Sequence, residues 1–220
     1  MKISVVIPTY KPQSYIWECL DSIKNQTFSK EDFEVILVLN GCNEPYYSQI
    51  KEYIDQNLVG YNINFIQTSS SGVSNARNMA LDMVRGEYIT FLDDDDYISP
   101  KYLEELYRAA SPNTVSLCYP YAFNDGKPEI QLPFSITDVY DTYHLRTDIR
   151  LSSKVRKYFS GPCMKLIPKS FIQGRIFDVR FKNGEDSLFM FSISDKINKL
   201  SFTSREAIYY RRYRDGSAMM

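Results

Sequence analysis

Over roughly the first hundred positions the apolar residues fall into two alternating patterns. Ile3-Ser4-Val5-Val6-Ile7, Phe33-Glu34-Val35-Ile36-Leu37-Val38-Leu39 and Ile63-Asn64-Phe65-Ile66 are short, nearly continuous apolar runs. Such runs are expected of strands buried on both faces of a parallel sheet. Between them apolar residues recur at helical spacing: Ile16, Cys19, Leu20 and Ile23 behind a cap at Ser14, then a helix through Tyr46–Asn57, then Val73, Ala76, Met79, Ala80, Met83 and Val84 up to a break at Gly86. Pro8 is expected to stop the first strand and open a loop through Thr9, Tyr10, Lys11 and Pro12. A fourth strand, Tyr88 to Leu92, climbs into Asp93-Asp94-Asp95-Asp96. Ser99 and Pro100 then predict a helix start, as N-cap and first helical residue. The alternation predicts an α/β fold with a mostly parallel, Rossmann-like central sheet covered by helices on both faces.

From about Ser111 the texture changes. Thr114–Tyr119 predicts another strand, and the turn-rich stretch Ala122–Pro133 a hairpin. The polar stretch Thr137–Val155 predicts a helix or a mobile loop. Glu185-Asp186 opens an apolar helix with Leu188, Phe189, Phe191 and Ile193, and Ala207 to Tyr213 predicts a last strand leading into a basic, glycine-containing loop.

Length and charge narrow the class. A chain of 220 residues is expected to be one domain, with the change of texture dividing it into halves 1–110 and 111–220. A net charge of −1 gives no basic field for a nucleic acid. Four scattered cysteines and a single histidine argue against a zinc site or a disulfide framework and fit a reducing compartment. The chain opens on a strand too short for a signal peptide, and no run is long enough to span a bilayer. The expectation is a cytoplasmic protein, with peripheral contact at the inner face of a membrane compatible with the composition.

The chemistry gathers at strand ends. Pro8, Thr9 and Tyr10, then Asn40, then Asp93–Asp96 all fall where a strand finishes, and in open α/β sheets those ends share one ligand crevice. Four adjacent carboxylates suit a hard divalent cation that also holds phosphates. An EF-hand starting at Asp93 fails because Ile98 stands where glycine is needed and Tyr97 where an oxygen ligand is needed. A strand-Asp-x-Asp phosphatase motif matches Asp93 and Asp95 but belongs on the first strand of its core. No Gly-x-Gly-x-x-Gly follows the first strand and no phosphate loop of the Walker type occurs. Outside such a site the same residues would be an acidic solvated turn, an Asn-Gly turn, a dipole-favoured acidic helix start and a solvated basic tail.

Five segments in order carry a resemblance: Val-Val-Ile-Pro-Thr-Tyr (5–10), Ser-Gly-Val-Ser-Asn-Ala-Arg-Asn (71–78), Gly-Glu-Tyr-Ile-Thr-Phe-Leu-Asp-Asp-Asp-Asp (86–96), Lys165-Leu166 ahead of Glu185-Asp186, and Tyr-Arg-x-Tyr-Arg-x-Gly-Ser (210–217). Together, over nearly the whole chain, they resemble the family 2 glycosyltransferases, inverting enzymes of the GT-A fold. The resemblance implies transfer of a sugar from a nucleoside diphosphate, UDP foremost, to a hydroxyl of a glycan or lipid-linked glycan, in cell-surface polysaccharide or glycolipid synthesis. It implies nucleotide contacts at Pro8, Thr9, Tyr10, Asn40, Arg77, Asp93, Asp94, Arg211 and Arg214, and Mn2+ or Mg2+ on Asp95 and Asp93. Asp186 maps to the general base, with Glu185 beside it orienting acceptor or base. Leu39-Asn40 departs from the family's usual Asp-Asp, which leaves the base open. A non-catalytic sugar-nucleotide module and a metal-dependent phosphohydrolase or nucleotidyltransferase are the alternative readings.

Overall fold

The computed structural model describes residues 1–214; Gly216 and Ser217 of the terminal motif lie outside the described residues. Strands are β1 (Ile3–Thr9), β2 (Phe33–Asn40), β3 (Ile63–Thr68), β4 (Tyr88–Phe91), β5 (Tyr97–Ile98), β6 (Thr114–Leu117), β7 (Tyr119–Asn124), β8 (Lys165–Pro168), β9 (Lys199–Phe202) and β10 (Ile208–Tyr213). Helices are α1 (Tyr15–Lys24), α2 (Tyr46–Asn57), α3 (Val73–Leu81), α4 (Tyr102–Arg108), α5 (Ser135–Tyr143), α6 (Lys169–Ile172) and α7 (Glu185–Ser192), with short 3-10 turns at Arg156–Phe159 and Ser194–Lys196.

The main sheet has seven strands in the order β3-β2-β1-β4-β8-β6-β9. Its first four strands run parallel; β8 is antiparallel to both β4 and β6, and β6 is parallel to β9. Every residue of β1 and β2 is buried, so both sheet faces are covered there, as the unbroken apolar runs require. Edge strand β3 is half-buried throughout. A second sheet, β5-β10-β7, stands beside the first and is built on β10.

Several local expectations change on contact with the tertiary fold. Pro8 does not stop β1, which pairs with β2 as far as Thr9 opposite Leu39. The β4 partnership has already ended at Val6–Phe91, so the missing proline N–H removes no ladder bond on that side. Ser14 occupies the cap position of α1 but makes no side-chain capping bond. Tyr97–Ile98 is a strand, and the following helix begins at Tyr102 rather than Pro100. Ser99 is taken up elsewhere: its hydroxyl donates to the Glu206 carbonyl and accepts from the Ile208 N–H. The predicted strand 114–119 divides at Cys118, because Leu117 ends in the main sheet whereas the Tyr119 N–H turns to the Ala207 carbonyl beside β10. No hairpin of two strands forms over 122–133; β7 lies along β10 for six residues instead. Part of the ambiguous 137–155 stretch is helix α5, docked through the Thr137 hydroxyl to the Pro120 carbonyl and the Tyr140 hydroxyl to the Thr203 carbonyl.

A buried polar cluster fixes the end of the sheet opposite the ligand edge. Glu34 accepts from the Ser4 hydroxyl and from the Arg85 N–H and Nε, each at 2.7 Å. Burial pushes its carboxyl up, but these donors outweigh that and hold it below the usual carboxylate range. The Gly86 N–H donates to Ser4 Oγ at 2.9 Å. A Cβ on Gly86 would meet the Ser4 nitrogen at 2.5 Å and the Ile3 carbonyl carbon at 2.7 Å, both backbone atoms that cannot step aside. Gly86→Ala is therefore expected to destabilise the fold by about 1–3 kcal/mol, read as a lowered midpoint in urea denaturation.

Candidate functional site

The carboxyl ends of β1, β2 and β4 converge as expected of an open α/β sheet. The Thr9 hydroxyl donates to Asp94 Oδ2 at 2.5 Å. Asn40 is buried, with Nδ2 donating to the Thr9 carbonyl at 2.7 Å and Oδ1 accepting from the Gly72 N–H at 3.0 Å. Both ends of its amide thus tie the strand tips to the start of α3. Tyr10 beyond Pro8 is half exposed at the rim.

Arg77 on α3 is the hub. Its side chain is 3% exposed; Nη2 donates to Asp93 Oδ1 at 2.9 Å and Nη1 to Asp186 Oδ1 at 2.6 Å. Its guanidinium also lies 5.3 Å from the Phe177 ring centre. Residues 77, 93 and 186, from three distant parts of the chain, therefore meet through one planar fork. Asp186 sits in the first turn of α7, whose cap residue Gly184 takes φ 80°, a left-handed conformation that costs other residues more. Glu185 is buried beside it.

The four aspartates are sorted by partner. Asp94 is held by Thr9, and Asp96 accepts the Arg212 N–H at 2.7 Å. Asp95 Oδ2 accepts from Arg214 Nε at 2.8 Å. The Asp93 N–H donates to the Tyr209 hydroxyl at 3.2 Å. Burial, then the neighbouring carboxylates, push Asp95 up and Asp96 well up, while Asp94 reaches about 7 against the opposing Thr9 bond. Asp186 is raised to about 6, first by burial and against the pull of Arg77, with Asp93 and Glu185 adding to the rise.

The basic tail splits by strand parity, since alternate residues of β10 face opposite ways. Tyr209 and Arg211 face the cleft that also contains Asp93, Asp96 and Asp186. Arg212 faces away and is spent on structure: it bonds the Asp95 carbonyl, Asp125 at 2.6 Å and Glu18 at 2.5 Å. Arg212 is thus a buried strut within the basic run. Arg214 returns to the acidic cluster at Asp95 and lies 4.7 Å from the Tyr15 ring centre.

The sequence reading missed two contributors. Tyr209 looked like one of many core aromatics. The loop Gly161-Pro162-Cys163 lines the cleft opposite Asp186, and a Cβ on Gly161 would come within 3.7 Å of Asp186 Oδ2. Lys165 holds that loop from behind, fully buried, its ammonium donating to the Gly161 and Cys163 carbonyls at 2.6 and 2.5 Å. Burial lowers its pKa to about 8.

Hard oxygen donors fit a divalent cation here. The carboxylates at 93–96, with Glu185 and Asp186, outnumber Arg77, Lys165, Arg211 and Arg214; burial first, and then neighbouring carboxylates, raise Asp94, Asp95 and Asp96. Among the described residues no group of three or more His, Cys, Asp or Glu is placed to hold a metal ion by itself. A cation held by one or two carboxylates and completed by phosphates and water matches such a set.

The model for Glycosyl transferase family 2 matches residues 4–174. The chain is 31% identical over 221 residues, all of its length, to the poly(ribitol-phosphate) beta-N-acetylglucosaminyltransferase TarS of Staphylococcus aureus, of which it covers 37%. It is 31% identical over 225 residues to the poly(ribitol-phosphate) beta-glucosyltransferase of Bacillus spizizenii, covering 33% of that protein. The chain thus spans little more than a third of the length of these relatives. The structure of S. aureus TarS 1-349 in complex with UDP-GlcNAc superposes with a TM-score of 0.80 at 28% identity, over 98% of this chain and 60% of that one. A Pyrobaculum calidifontis mannosyltransferase bound to GDP-Man and Mn2+ shares the fold at a TM-score of 0.69 and 16% identity. The architecture is the GT-A fold, and the chain belongs to glycosyl transferase family 2.

Proposed function

We propose that the chain transfers a sugar from a nucleoside diphosphate, uridine diphosphate foremost, to an acceptor hydroxyl with inversion at the anomeric carbon. The observation that carries the reading is the Arg77 fork: it sets a half-buried carboxylate with a pKa of about 6 on the same cleft as the strand-end acidic cluster. A base with that pKa is ionised at neutral pH and still basic enough to take a proton from a hydroxyl as it attacks. Direct displacement by one activated hydroxyl inverts the anomeric centre and needs no covalent enzyme intermediate.

Residues 1–110 hold the donor in this reading. Thr9 and Tyr10 border the nucleotide, Asn40 shapes its pocket by fixing Thr9 and Gly72, and Asp94 is positioned by Thr9. Asp95 and Asp93 would hold Mn2+ or Mg2+, which supplies positive charge against the departing diphosphate. Arg211 and Arg214 add forked donors suited to phosphate. Residues 111–220 provide the acceptor side through Asp186, Glu185 and the 161–163 loop. The relatives' named substrates favour a cell-surface polymer or lipid-linked glycan as acceptor.

Four outcomes test the reading. UDP with Mn2+ should raise the melting temperature, by about 2.7 kcal/mol of linkage at a hundredfold excess over Kd, whereas GDP, CDP and ADP shift it less; equal shifts from all four would remove the base assignment. Asp186→Asn should keep that nucleotide-dependent shift and lose about 10²–10⁴-fold in kcat; retained turnover would exclude Asp186 as the base. Because Asp186 must be ionised and its pKa is raised to about 6, kcat/KM should fall as pH drops through about 6. Arg77→Lys, which replaces a fork by a point charge, should move that acid limb to higher pH as well as slow the reaction, and an unmoved limb would separate Arg77 from the tuning of Asp186.

A further inference from the structure

Five of the eleven exposed large apolar side chains among the described residues fall within sixteen positions: Ile176, Val179, Phe181, Leu188 and Phe191, the last 76% exposed. Two stretches carry them, and both are pinned side by side. Phe177 stacks on Phe189 with ring centres 3.8 Å apart, and Arg175 reaches Asp195, beyond the end of α7, at 2.8 Å. Phe189 and Met190 take the inner face of α7. Leu188 and Phe191, three residues apart, share its outer face. Burial in this chain therefore does not account for them.

The stretch of chain that contains this helix is basic. Residues 146–199 hold twelve Lys and Arg against five Asp and Glu, an excess of seven, although the whole chain carries −1. Arg146, Arg150, Lys154, Arg156, Lys157 and Lys182 are exposed, and none is in an ion pair among the described residues. The 3-10 turn carrying Arg156 and Lys157 is tied to α7 where the Ser187 hydroxyl donates to the Ser160 carbonyl at 2.9 Å. Exposed apolar side chains flanked by unpaired cations complement a surface that is apolar within and anionic at its boundary.

We propose that this face docks on an anionic lipid bilayer, with Phe181, Leu188 and Phe191 in the headgroup layer and the flanking cations on lipid phosphates. Asp186 lies five residues before Phe191, about 7.5 Å along the helix axis, so docking sets the cleft at the lipid boundary. The proposal goes beyond the transferase reading and does not depend on it.

The test is flotation of the full chain with vesicles of phosphatidylglycerol and phosphatidylcholine in equal parts, and with phosphatidylcholine alone, at low and high salt. The chain should float with the anionic vesicles at low salt, be released at high salt, and stay behind with the neutral ones. Phe181→Ser with Phe191→Ser, and separately Arg156→Glu with Lys157→Glu, should each lower the partition about tenfold or more while leaving the nucleotide-dependent thermal shift unchanged. No flotation with anionic vesicles, or a partition indifferent to both double substitutions, overturns the proposal. So does a concentration-dependent dimer that Phe191→Ser dissolves, which would give the face to a second copy. Loss of the nucleotide shift with flotation intact would count against the transferase reading alone.

Discussion

A single buried guanidinium holds this site together. Arg77 has its fork closed by Asp93 on one side and Asp186 on the other. Taking a cation out of water is expensive, and removing one partner of such a group commonly costs about 3–5 kcal/mol because the remaining charge is stranded. The arrangement links helix α3, the tip of β4 and the first turn of α7. Without the arginine, two carboxylates would face each other across a narrow gap, and their repulsion would open the cleft. The distance between the acidic cluster and the proposed base is therefore set by the length of one guanidinium.

The run of four aspartates looks degenerate in sequence, but the partners around it make it specific. Asp94 and Asp96 each accept a bond from a group fixed by a strand, Thr9 on β1 and the Arg212 N–H on β10. Asp93 and Asp95 instead face arginine side chains, Arg77 and Arg214. Arg77 and Arg214 supply the positive charge that a bound cation would otherwise bring to these two carboxylates. That contrast favours Asp93 and Asp95 as the proposed ligands.

The first half of the fold was legible because its strands are continuous apolar runs and its helices keep a clean period; α2 was placed at its observed limits. The second half was not, and neither was the start of α4, for three physical reasons. Its strands are four to six residues long and pair with segments far away in sequence, so although the runs at Thr114 and Ala207 announce β6 and β10, no local pattern announces β8, β9 or the pairing of β7 with β10. Ser99-Pro100 is locally a good helix start, yet the Ser99 hydroxyl is more useful bridging β5 to β10. The arginines of β10 form one basic run in sequence, and only the paired strand assigns them to opposite faces. Among site residues, the strand-end aspartates and the Glu185-Asp186 pair stood out, because buried or clustered charge needs a reason. Tyr209 and Gly161 did not, since a tyrosine among 18 and one glycine in a loop carry no distinguishing signal.

The basicity of Asp186 follows from a balance that reaches beyond Arg77. Burial favours the protonated carboxyl, whereas close pairing with a cation favours the carboxylate and weakens it as a base. Arg77 contacts it directly, while the Lys165 ammonium, anchored only to carbonyls of the cleft loop, draws it down from farther off. A lysine that bonds carbonyls keeps its whole charge available to its surroundings, whereas one neutralised by a carboxylate would not. Lys165 thus shapes the loop facing Asp186 and helps keep that carboxylate ionised, and its own lowered pKa is the cost of doing both from inside the fold.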